Sequence, residues 1–285
     1  MRAPADPQRS AGCPTGFRRF DEMTGGLEPG QLVIVGARPA MGKTIFACNV
    51  ATHAAAAGTP VLFVTLGMTR REIAARILAA RSGVSVQAMR SDACRQDDYD
   101  RMSSAVGCTM AWPFFIDDTP AVSVAYVRAK ARRIHRNHGL GLVVIDYLGL
   151  MRGTGDNRTQ EVGSISRGLK ALAKELKVPV IALAQLNRGN EARADKKPTL
   201  ADLRDSGEIE QDADIVAMLH RESEYRDSPE LEGLAHLLIR KNRNGPTGEC
   251  LLTFDGPLMR LADYDGPYPE SPQPRKSDRR RGFEA

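Results

Sequence analysis

Short apolar runs alternate along the chain with segments whose apolar residues recur at helical spacing. The runs predict strands at 31–35, 61–66, 114–116, 142–146, 180–184, 214–219, 235–240 and 249–254. The segments with helical spacing predict helices at 44–57, 70–82, 123–137 and 161–176. Several strands are apolar at nearly every position, and such strands need cover on both faces. The order of elements predicts an α/β fold with a mostly parallel central sheet, flanking helices and an antiparallel edge.

The two ends of the chain differ in composition from the part between them. Residues 1–14 are rich in proline, arginine and alanine and predict a flexible lead-in. Residues 265–285 combine four prolines with a basic end and predict a disordered basic tail. One domain is therefore expected from residue 15 to residue 264, long enough to bury a sizeable core.

Charge and cysteine content exclude several classes of protein. The formal net charge is +5, but residues 274–285 carry +3 and residues 1–16 carry +1. The folded domain is thus nearly neutral, so nucleic-acid binding would depend on local loops or on the tail. The five cysteines never form a CxxC pair, which argues against a zinc site or a disulfide framework. No apolar run reaches the roughly 18 residues of a membrane span, and we expect a cytoplasmic protein.

A turn rich in glycine and alanine follows the first predicted strand and opens the next helix. Its residues are Gly36, Ala37, Arg38, Pro39, Ala40, Met41, Gly42, Lys43 and Thr44. In such a turn backbone N–H groups and a helix N-terminus bind phosphate, and a lysine reaches the outer phosphate oxygens. A threonine after the lysine can hold Mg²⁺. The strict pattern G-x-x-x-x-G-K-[ST] has glycine where Ala37 stands, so this is a variant P-loop rather than a turn without a ligand.

Two polar residues end later strands and add to this candidate site. Asp146 ends the run Leu142-Val143-Val144-Ile145, about 100 residues after Lys43. A P-loop nucleotidase needs a second carboxylate of this kind to hold its metal ion. Gln185 ends the next apolar run and could sense the γ-phosphate; the alternative is an ordinary amide at a strand end.

Nine motifs, in order, resemble those of the DnaB-type bacterial replicative DNA helicases. They are TGF at 15–17, GGL at 25–27, ARPAMGKT at 37–44, VIDY at 144–147, LKALAKEL at 169–176, QLNR at 185–188, DLR at 202–204, QDAD at 211–214 and RNGP at 243–246. The resemblance covers the RecA-like C-terminal motor domain of that family. It implies a homo-hexameric ring that moves 5′ to 3′ on single-stranded DNA with ATP and Mg²⁺, and a helicase loader as a partner.

The resemblance also implies roles for individual residues. It makes Lys43 the phosphate clamp, Thr44 and Asp146 the magnesium partners, and Gln185 the residue linked to the γ-phosphate. It makes Lys241 and Arg243 the basic pair that reaches the neighbouring subunit's ATP, where an arginine finger stabilises developing charge. The alternative interpretation is that Lys241 and Arg243 are ordinary solvent-exposed charges beside the turn at 244–246.

The DNA-binding residues are expected between residues 188 and 212, a polar stretch that predicts a surface loop. In the family, the part that matches Arg204, Asp205 and Gly207 lines the pore of the ring. There it contacts the DNA backbone, and such contacts position DNA without reading its bases. An ordinary solvated loop is the alternative.

The sequence departs from the family pattern in two respects. The family carries Leu-Glu-Met after the second strand, and its glutamate activates the attacking water; here the residues are Leu66, Gly67 and Met68. Asp117 or Asp118 could supply a substitute base. The family also has an N-terminal helical domain and a linker helix, which 14 residues cannot hold, so we do not expect primase contact or ring closure by that route.

Two functions from different classes therefore remain open. The first is an ATP-dependent helicase motor of DNA replication, with activity weakened by Gly67. The second is an ATP-binding but hydrolysis-impaired ring subunit or regulator that binds DNA. A RecA-fold ATPase of recombination or of a clock-type ring is a third interpretation, but the motifs at 202–214 and 243–246 argue against it.

Overall fold

The computed structural model describes residues 12–267 apart from 92–93, 188, 190–192, 194 and 204–205. The strands of this part are β1 (Leu32–Ala37), β2 (Val61–Thr65), β3 (Phe114–Asp117), β4 (Leu142–Asp146), β5 (Val180–Gln185), β6 (Ile215–His220), β7 (Leu234–Asn242), β8 (Gly248–Asp255) and β9 (Arg260–Asp263). Its helices are α1 (Arg18–Thr24), α2 (Lys43–Ala56), α3 (Arg70–Ser82), α4 (Val86–Arg90), α5 (Gln96–Thr109), α6 (Val124–His138), α7 (Arg158–Leu176) and α8 (Ser206–Asp212).

All of these strands belong to one sheet, in the order β3-β2-β4-β5-β1-β6-β7-β8-β9. The strands from β3 to β6 in this order are parallel, and β7, β8 and β9 add antiparallel pairs at one edge. The predicted α/β fold, with its mostly parallel sheet and antiparallel edge, is confirmed. Because the first six strands are parallel, their carboxyl ends meet at one edge of the sheet, where ligands bind in such folds.

Helices cover both faces of the sheet, which explains why the central strands are apolar at nearly every position. In β1, Val33 and Val35 pack into the core that contains Phe46 of α2. The alternate residues of β1 face the opposite core, which contains Leu169 of α7. Successive side chains of a strand point to opposite faces, so a strand between two cores must be apolar throughout.

The predicted elements form, with ends that shift by at most three residues, but several further elements were missed. The missed elements are α1, α4, α5, α8 and β9. Their apolar signal is weak: α5 buries only Ala105 among its fourteen residues, and β9 has a single buried residue, Leu261. Elements of this kind take their stability from the surface on which they pack, so periodicity alone does not reveal them.

The prediction of a surface loop between residues 188 and 212 is partly wrong. Residues 206–212 form α8, and Ile209 in this helix is buried. Upstream, the buried carboxylate of Asp202 accepts hydrogen bonds from Arg193 and from Thr199. The stretch is polar in sequence because its buried apolar residues, among them Leu203 and Ile209, are few and lie between polar ones, and one of its buried side chains is the paired carboxylate of Asp202. Arg204 and Asp205 lie outside the described residues.

The ends of the domain also differ from the sequence prediction. Cys13, assigned to the flexible lead-in, exchanges two backbone hydrogen bonds of 2.9 Å with Leu27 and so belongs to the folded domain. Asp265, assigned to the tail, is ion-paired with Arg18. Most of the predicted lead-in and tail, at 1–11 and 268–285, lies outside the described residues. In the part that is described, no helix is long and apolar enough to cross a membrane.

Candidate nucleotide-binding site

The P-loop lies at the carboxyl edge of the parallel strands. It begins where β1 ends at Ala37, which pairs with Gln185 of β5 on one side and with Leu219 of β6 on the other. The turn ends at Gly42, and α2 starts at Lys43. A strand, a tight turn and a helix N-terminus thus follow one another, the arrangement that presents backbone N–H groups to a phosphate.

The two positions at which P-loops carry glycine differ here in their geometry. Gly42 has φ of +93°, and a Cβ atom there would lie 2.7 Å from the Phe254 ring, so glycine is required. Ala37 instead is the last residue of a regular strand, with extended backbone and a buried methyl group. Alanine is therefore compatible with this position, and the variant motif keeps the P-loop geometry.

The predicted metal-binding residues are brought into direct contact. The Thr44 hydroxyl donates a 2.6 Å hydrogen bond to Oδ2 of Asp146, a carboxylate that is only 6% exposed. Hydroxyl and carboxylate oxygens are the ligands that Mg²⁺ prefers, and such sites are usually completed by substrate phosphates. No group of three or more His, Cys, Asp or Glu in the described part could hold a metal ion by itself. The donor set therefore fits a magnesium ion that binds together with a nucleotide.

Lys43 is partly buried beside this pair. Burial lowers the pKa of the Lys43 ammonium, and the negative charge of Asp146 partly opposes that effect. The ammonium nitrogen lies 4.5 Å from the centre of the Tyr147 ring, a cation–π contact. A lysine held in this way has lost part of its hydration and gains strongly from an anionic partner.

These residues line one cavity of about 430 Å³. Its wall also contains Met68, Arg76, Tyr147 and Met259, which the sequence analysis did not single out as site residues. Tyr147 follows Asp146 directly and could have been found from that motif. The other three come from segments distant in sequence from the P-loop, so only the folded chain brings them to the site.

Gly67, where the sequence analysis expects the glutamate of the helicases that the chain resembles, also lines this cavity. Its φ lies outside the left-handed region, and a Cβ atom there would approach Cδ1 of Leu150 at 3.3 Å. A side chain would therefore fit at this position with a small adjustment of one flexible leucine. The glycine is not demanded by the backbone.

The two carboxylates considered as substitute bases are engaged elsewhere. Asp117 lies 2.8 Å from the ammonium of Lys130 and accepts two hydrogen bonds from Thr119. Asp118 accepts hydrogen bonds from the side chain and the backbone of Arg70, which lower its pKa to about 2. Among the residues described at the cavity wall, neither aspartate is present.

Gln185 lies between the nucleotide cavity and a second cavity. It is exposed at the end of β5 and lines both, as do Arg38 and Tyr147. The second cavity, of about 580 Å³, extends to Arg158 and Asn187. The Gln185 amide therefore lies between the nucleotide cavity and the segments that follow β4 and β5.

Lys241 and Arg243 do not join this site. In the register of the sheet Lys241 pairs with Val216 near the start of β6, whereas the P-loop lies beside Leu219 near its end. Arg243 donates to the Gln211 carbonyl at 3.0 Å and Lys241 contacts the Glu210 carbonyl. The pair thus lies at the amino edge, across the sheet from the P-loop of its own chain.

Of the three residues expected to contact DNA, the described part contains one. Gly207 is exposed near the start of α8. This helix packs against α7, where Glu208 pairs with Arg167 and lies directly over Gly163. The helix α8 therefore lies against α7, with Ile209 buried between them.

The family model for the DnaB-like helicase C-terminal domain matches residues 12–263 of this chain. The chain belongs to that family. The match includes every element of the nucleotide site and the antiparallel edge that carries Lys241 and Arg243.

Curated relatives agree with this assignment. The replicative DNA helicase DnaB of Leifsonia xyli subsp. xyli is 49% identical over 255 residues, which cover 88% of this chain and 56% of that protein. The replicative DNA helicase DnaB of Geobacillus stearothermophilus is 45% identical over 247 residues, with coverages of 85% and 54%. The chain thus spans slightly more than half the length of these relatives.

Solved structures show the same architecture. A chain described as an ATPase domain matches with a TM-score of 0.86 and 36% identity, over 89% of this chain and 92% of that one. A DnaB-like replicative helicase, described with its interactions with primase, matches with the same TM-score and identity over 62% of its length. The RecA-like type of fold is confirmed by these neighbours.

Proposed function

We propose that this chain is the motor of an ATP-dependent replicative DNA helicase that moves 5′ to 3′ on single-stranded DNA. The observation that carries the proposal is the convergence of Lys43, Thr44, Asp146 and Gln185 on one cavity at the carboxyl edge of the sheet. These residues come from three different strand ends, and nucleotide hydrolysis is the chemistry that needs them together.

ATP would bind with its phosphates over the P-loop. The N–H groups at the start of α2 would donate to the phosphates, and Lys43 would meet their outer oxygens. Thr44 and Asp146 would hold the magnesium ion. When bound, that ion neutralises charge on the phosphate oxygens. Gln185 would then contact the γ-phosphate. Because Gln185 also lines the second cavity, it would couple the presence of the γ-phosphate to that cavity.

We further propose that the ATP site is completed by a neighbouring copy of this chain in a homo-hexameric ring. Lys241 and Arg243 lie at the edge of the sheet opposite to their own P-loop, which supports a role in trans. In a head-to-tail ring the amino edge of one subunit can face the carboxyl edge of the next. Arg243 would act there as the arginine finger, with Lys241 beside it.

Single-stranded DNA would bind through Arg204, Asp205 and Gly207, at the entry to α8. The packing of α8 on α7 through the buried Ile209 supports this, because a contact that transmits force needs a helix that is anchored in the domain. We retain a helicase loader as a proposed partner. The relative described with primase makes a primase contact worth testing for this chain also.

The second candidate is an ATP-binding ring subunit or regulator with impaired hydrolysis. Gly67 supports it, because the cavity wall carries no carboxylate at that position. The two candidates share nucleotide binding and DNA binding and differ in turnover alone. Steady-state ATP hydrolysis with and without single-stranded DNA separates them.

Replacing Lys43 with alanine is expected to weaken Mg²⁺-ATP binding by about 10- to 100-fold, because one charge-assisted contact is lost. The fold should remain intact, since burial of the charged ammonium is unfavourable, as the lowered pKa of Lys43 indicates, and alanine removes that charge. Titration of a fluorescent ATP analogue measures the affinity. Lys174→Ala, an exposed lysine on α7, is the matched control and should bind normally. Unchanged affinity in Lys43→Ala would refute the nucleotide site.

Replacing Arg204 with alanine is expected to weaken binding of single-stranded DNA and to lower its salt dependence. Loss of one phosphate contact should reduce the slope of log K against log salt by about 0.7. Removal of residues 270–285 should have a smaller effect. The measurement is fluorescence anisotropy with labelled oligonucleotides of unrelated sequence at several salt concentrations. If the truncation abolishes binding and Arg204→Ala changes nothing, the DNA site is the tail.

A further inference from the structure

A buried carboxylate at the amino edge of the sheet has no role in the site described above. Asp214 directly precedes β6 and is only 6% exposed. Its N–H donates to the carbonyl of Leu32 at 2.9 Å, and the Leu32 N–H donates to Oδ2 of Asp214 at 2.8 Å. Asp214 is therefore fixed to the first residue of β1, the strand that leads to the P-loop.

The same carboxylate oxygen has a second partner. The ammonium of Lys170, from α7, lies 2.5 Å from Oδ2 and also donates to the carbonyl of Gly30 at 2.9 Å. Because Oδ2 is held from two directions, the carboxylate cannot rotate without breaking one of these bonds. The position of its other oxygen, Oδ1, is therefore fixed as well.

That second oxygen faces the guanidinium of Arg243. The distance from Oδ1 to Nη1 is 3.3 Å, and the backbone N–H of Arg243 donates to the Asp214 carbonyl at 2.9 Å. On its other side the guanidinium donates from Nη2 to the Gln211 carbonyl at 3.0 Å. Both the backbone and the side chain of Arg243 are thus held, while half of the side chain remains exposed.

We propose that Asp214 is a positioning residue that holds Arg243 in the orientation needed to reach the neighbouring subunit's ATP. This inference rests on the proposed role of Arg243 in trans. Arginine has five N–H donors in a planar fork, so Nη1 and Nη2 each keep a hydrogen for a phosphate oxygen. A long side chain that is already oriented loses less conformational entropy when the phosphoryl charge develops.

The other interpretation is that Asp214 only stabilises the junction of β1, β6 and α7. The two interpretations differ in where the defect lies. A structural defect would impair the subunit that carries the change, including its own P-loop. A positioning defect would leave that P-loop intact and would impair the site of the neighbour.

The test is Asp214→Asn in the full chain, which removes the charge and keeps the shape. We expect turnover of ATP to fall about 10- to 100-fold, the size of effect produced by misplacing a reacting group. The affinity for a fluorescent ATP analogue should not change. Single-turnover hydrolysis of labelled ATP detects slow rates. Asp21→Asn is the control for loss of a partly buried carboxylate: Asp21 accepts bonds from Thr15 in another part of the domain, and turnover in this variant should stay normal.

A mixing experiment then locates the defect. Asp214→Asn subunits keep an intact P-loop, and Lys43→Ala subunits keep an intact Arg243. When the two variants are mixed, the ATP site of an Asp214→Asn subunit can lie beside Arg243 of a Lys43→Ala neighbour and should regain turnover. The rate of ATP turnover of the mixture should therefore exceed the sum of the rates of the two variants measured alone. Arg243→Ala mixed with Lys43→Ala should behave in the same way.

Each outcome decides between the interpretations. If Arg243→Ala is rescued by mixing and Asp214→Asn is not, Asp214 acts inside its own subunit and the inference is wrong. If Asp214→Asn hydrolyses ATP normally while Arg243→Ala does not, the inference is also wrong, although the proposed role of Arg243 as an arginine finger remains supported. If Arg243→Ala itself has no effect, the proposed trans site fails, and the inference fails with it.

A double variant covers the case in which Asp214→Asn is poorly folded. If Asp214 acts through Arg243, the change Asp214→Asn should lower turnover in the native chain but not in the Arg243→Ala chain, because coupled residues are not additive. A purely structural role would lower turnover by the same factor in both backgrounds. Asp214→Glu, which keeps the charge opposite Lys170 but moves the oxygen, should also reduce turnover and should be rescued by mixing.

Discussion

Replacing Gly67 with glutamate is expected to raise the rate of ATP hydrolysis by about 10²–10⁴-fold, with little change in ATP affinity. The factor is what a positioned general base typically contributes, and it corresponds to roughly 2.7–5.5 kcal/mol of barrier. The native chain should accordingly bind Mg²⁺-ATP normally and hydrolyse it slowly. The measurement is turnover with and without single-stranded DNA, beside a separate titration of nucleotide affinity.

The geometry of the site permits this gain of function. Gly67 lines the cavity together with Lys43, Thr44 and Asp146, and its φ lies outside the left-handed region, so a side chain fits there once Leu150 adjusts slightly. A glutamate there would extend into the cavity from the end of β2, next to the strand that carries Asp146. Its carboxylate could then orient the attacking water.

Two controls separate base catalysis from other effects. Gly67→Gln matches glutamate in size but cannot accept a proton, so it should not restore turnover. Asp146→Ala in the Gly67→Glu chain should remove the restored activity. Fast hydrolysis by the native chain, undiminished by Asp117→Asn and Asp118→Asn, would contradict both the slow-hydrolysis prediction and the substitute-base alternative.

Replacing Arg243 with alanine is expected to lower the rate of ATP hydrolysis by about 10³–10⁵-fold, the contribution of an arginine finger supplied in trans. The affinity for ATP should stay nearly constant, because the residue lies across the sheet from its own P-loop. Turnover is measured in the native chain by single-turnover assay and in the Gly67→Glu chain at steady state.

The matched control is Arg226→Ala. Arg226 has nearly the same side-chain exposure as Arg243, 47% against 50%, and is paired with Glu222 on the surface. Exposed pairs of this kind contribute little, so this variant should retain full turnover. An Arg243→Ala chain that hydrolyses ATP at the native rate would remove the basis for a site shared between subunits.

The strands β1 to β8 and the helices α2, α3, α6 and α7 could be predicted from their apolar patterns. Strand β4 was predicted to the residue, since both of its faces are buried and it ends in a charged residue. The helix α8 could not be predicted, because Ile209 is the one apolar residue in the sequence SGEIEQD. It is held against α7 by the burial of Ile209 and by the close fit of Glu208 over Gly163.

The nucleotide site could be predicted in its core but not in its surroundings. A P-loop is a continuous segment, so its spacing alone identifies it, and Asp146 and Gln185 follow from strand ends. Arg76 and Met259 reach the same cavity from α3 and from the turn before β9. Their role at the site depends on packing between distant segments, which has no local signal in the sequence.

The sequence by itself determined the class of fold, the phosphate-binding turn and the absence of a glutamate at Gly67, because each depends on neighbouring residues or on a simple period. Only the tertiary structure decided that Asp117 and Asp118 are held by Lys130 and Arg70. It also decided that Arg243 lies at the opposite edge from its own P-loop, held by Asp214. These are contacts between elements far apart in the chain, and strand order and register, rather than local spacing, bring such residues together or keep them apart.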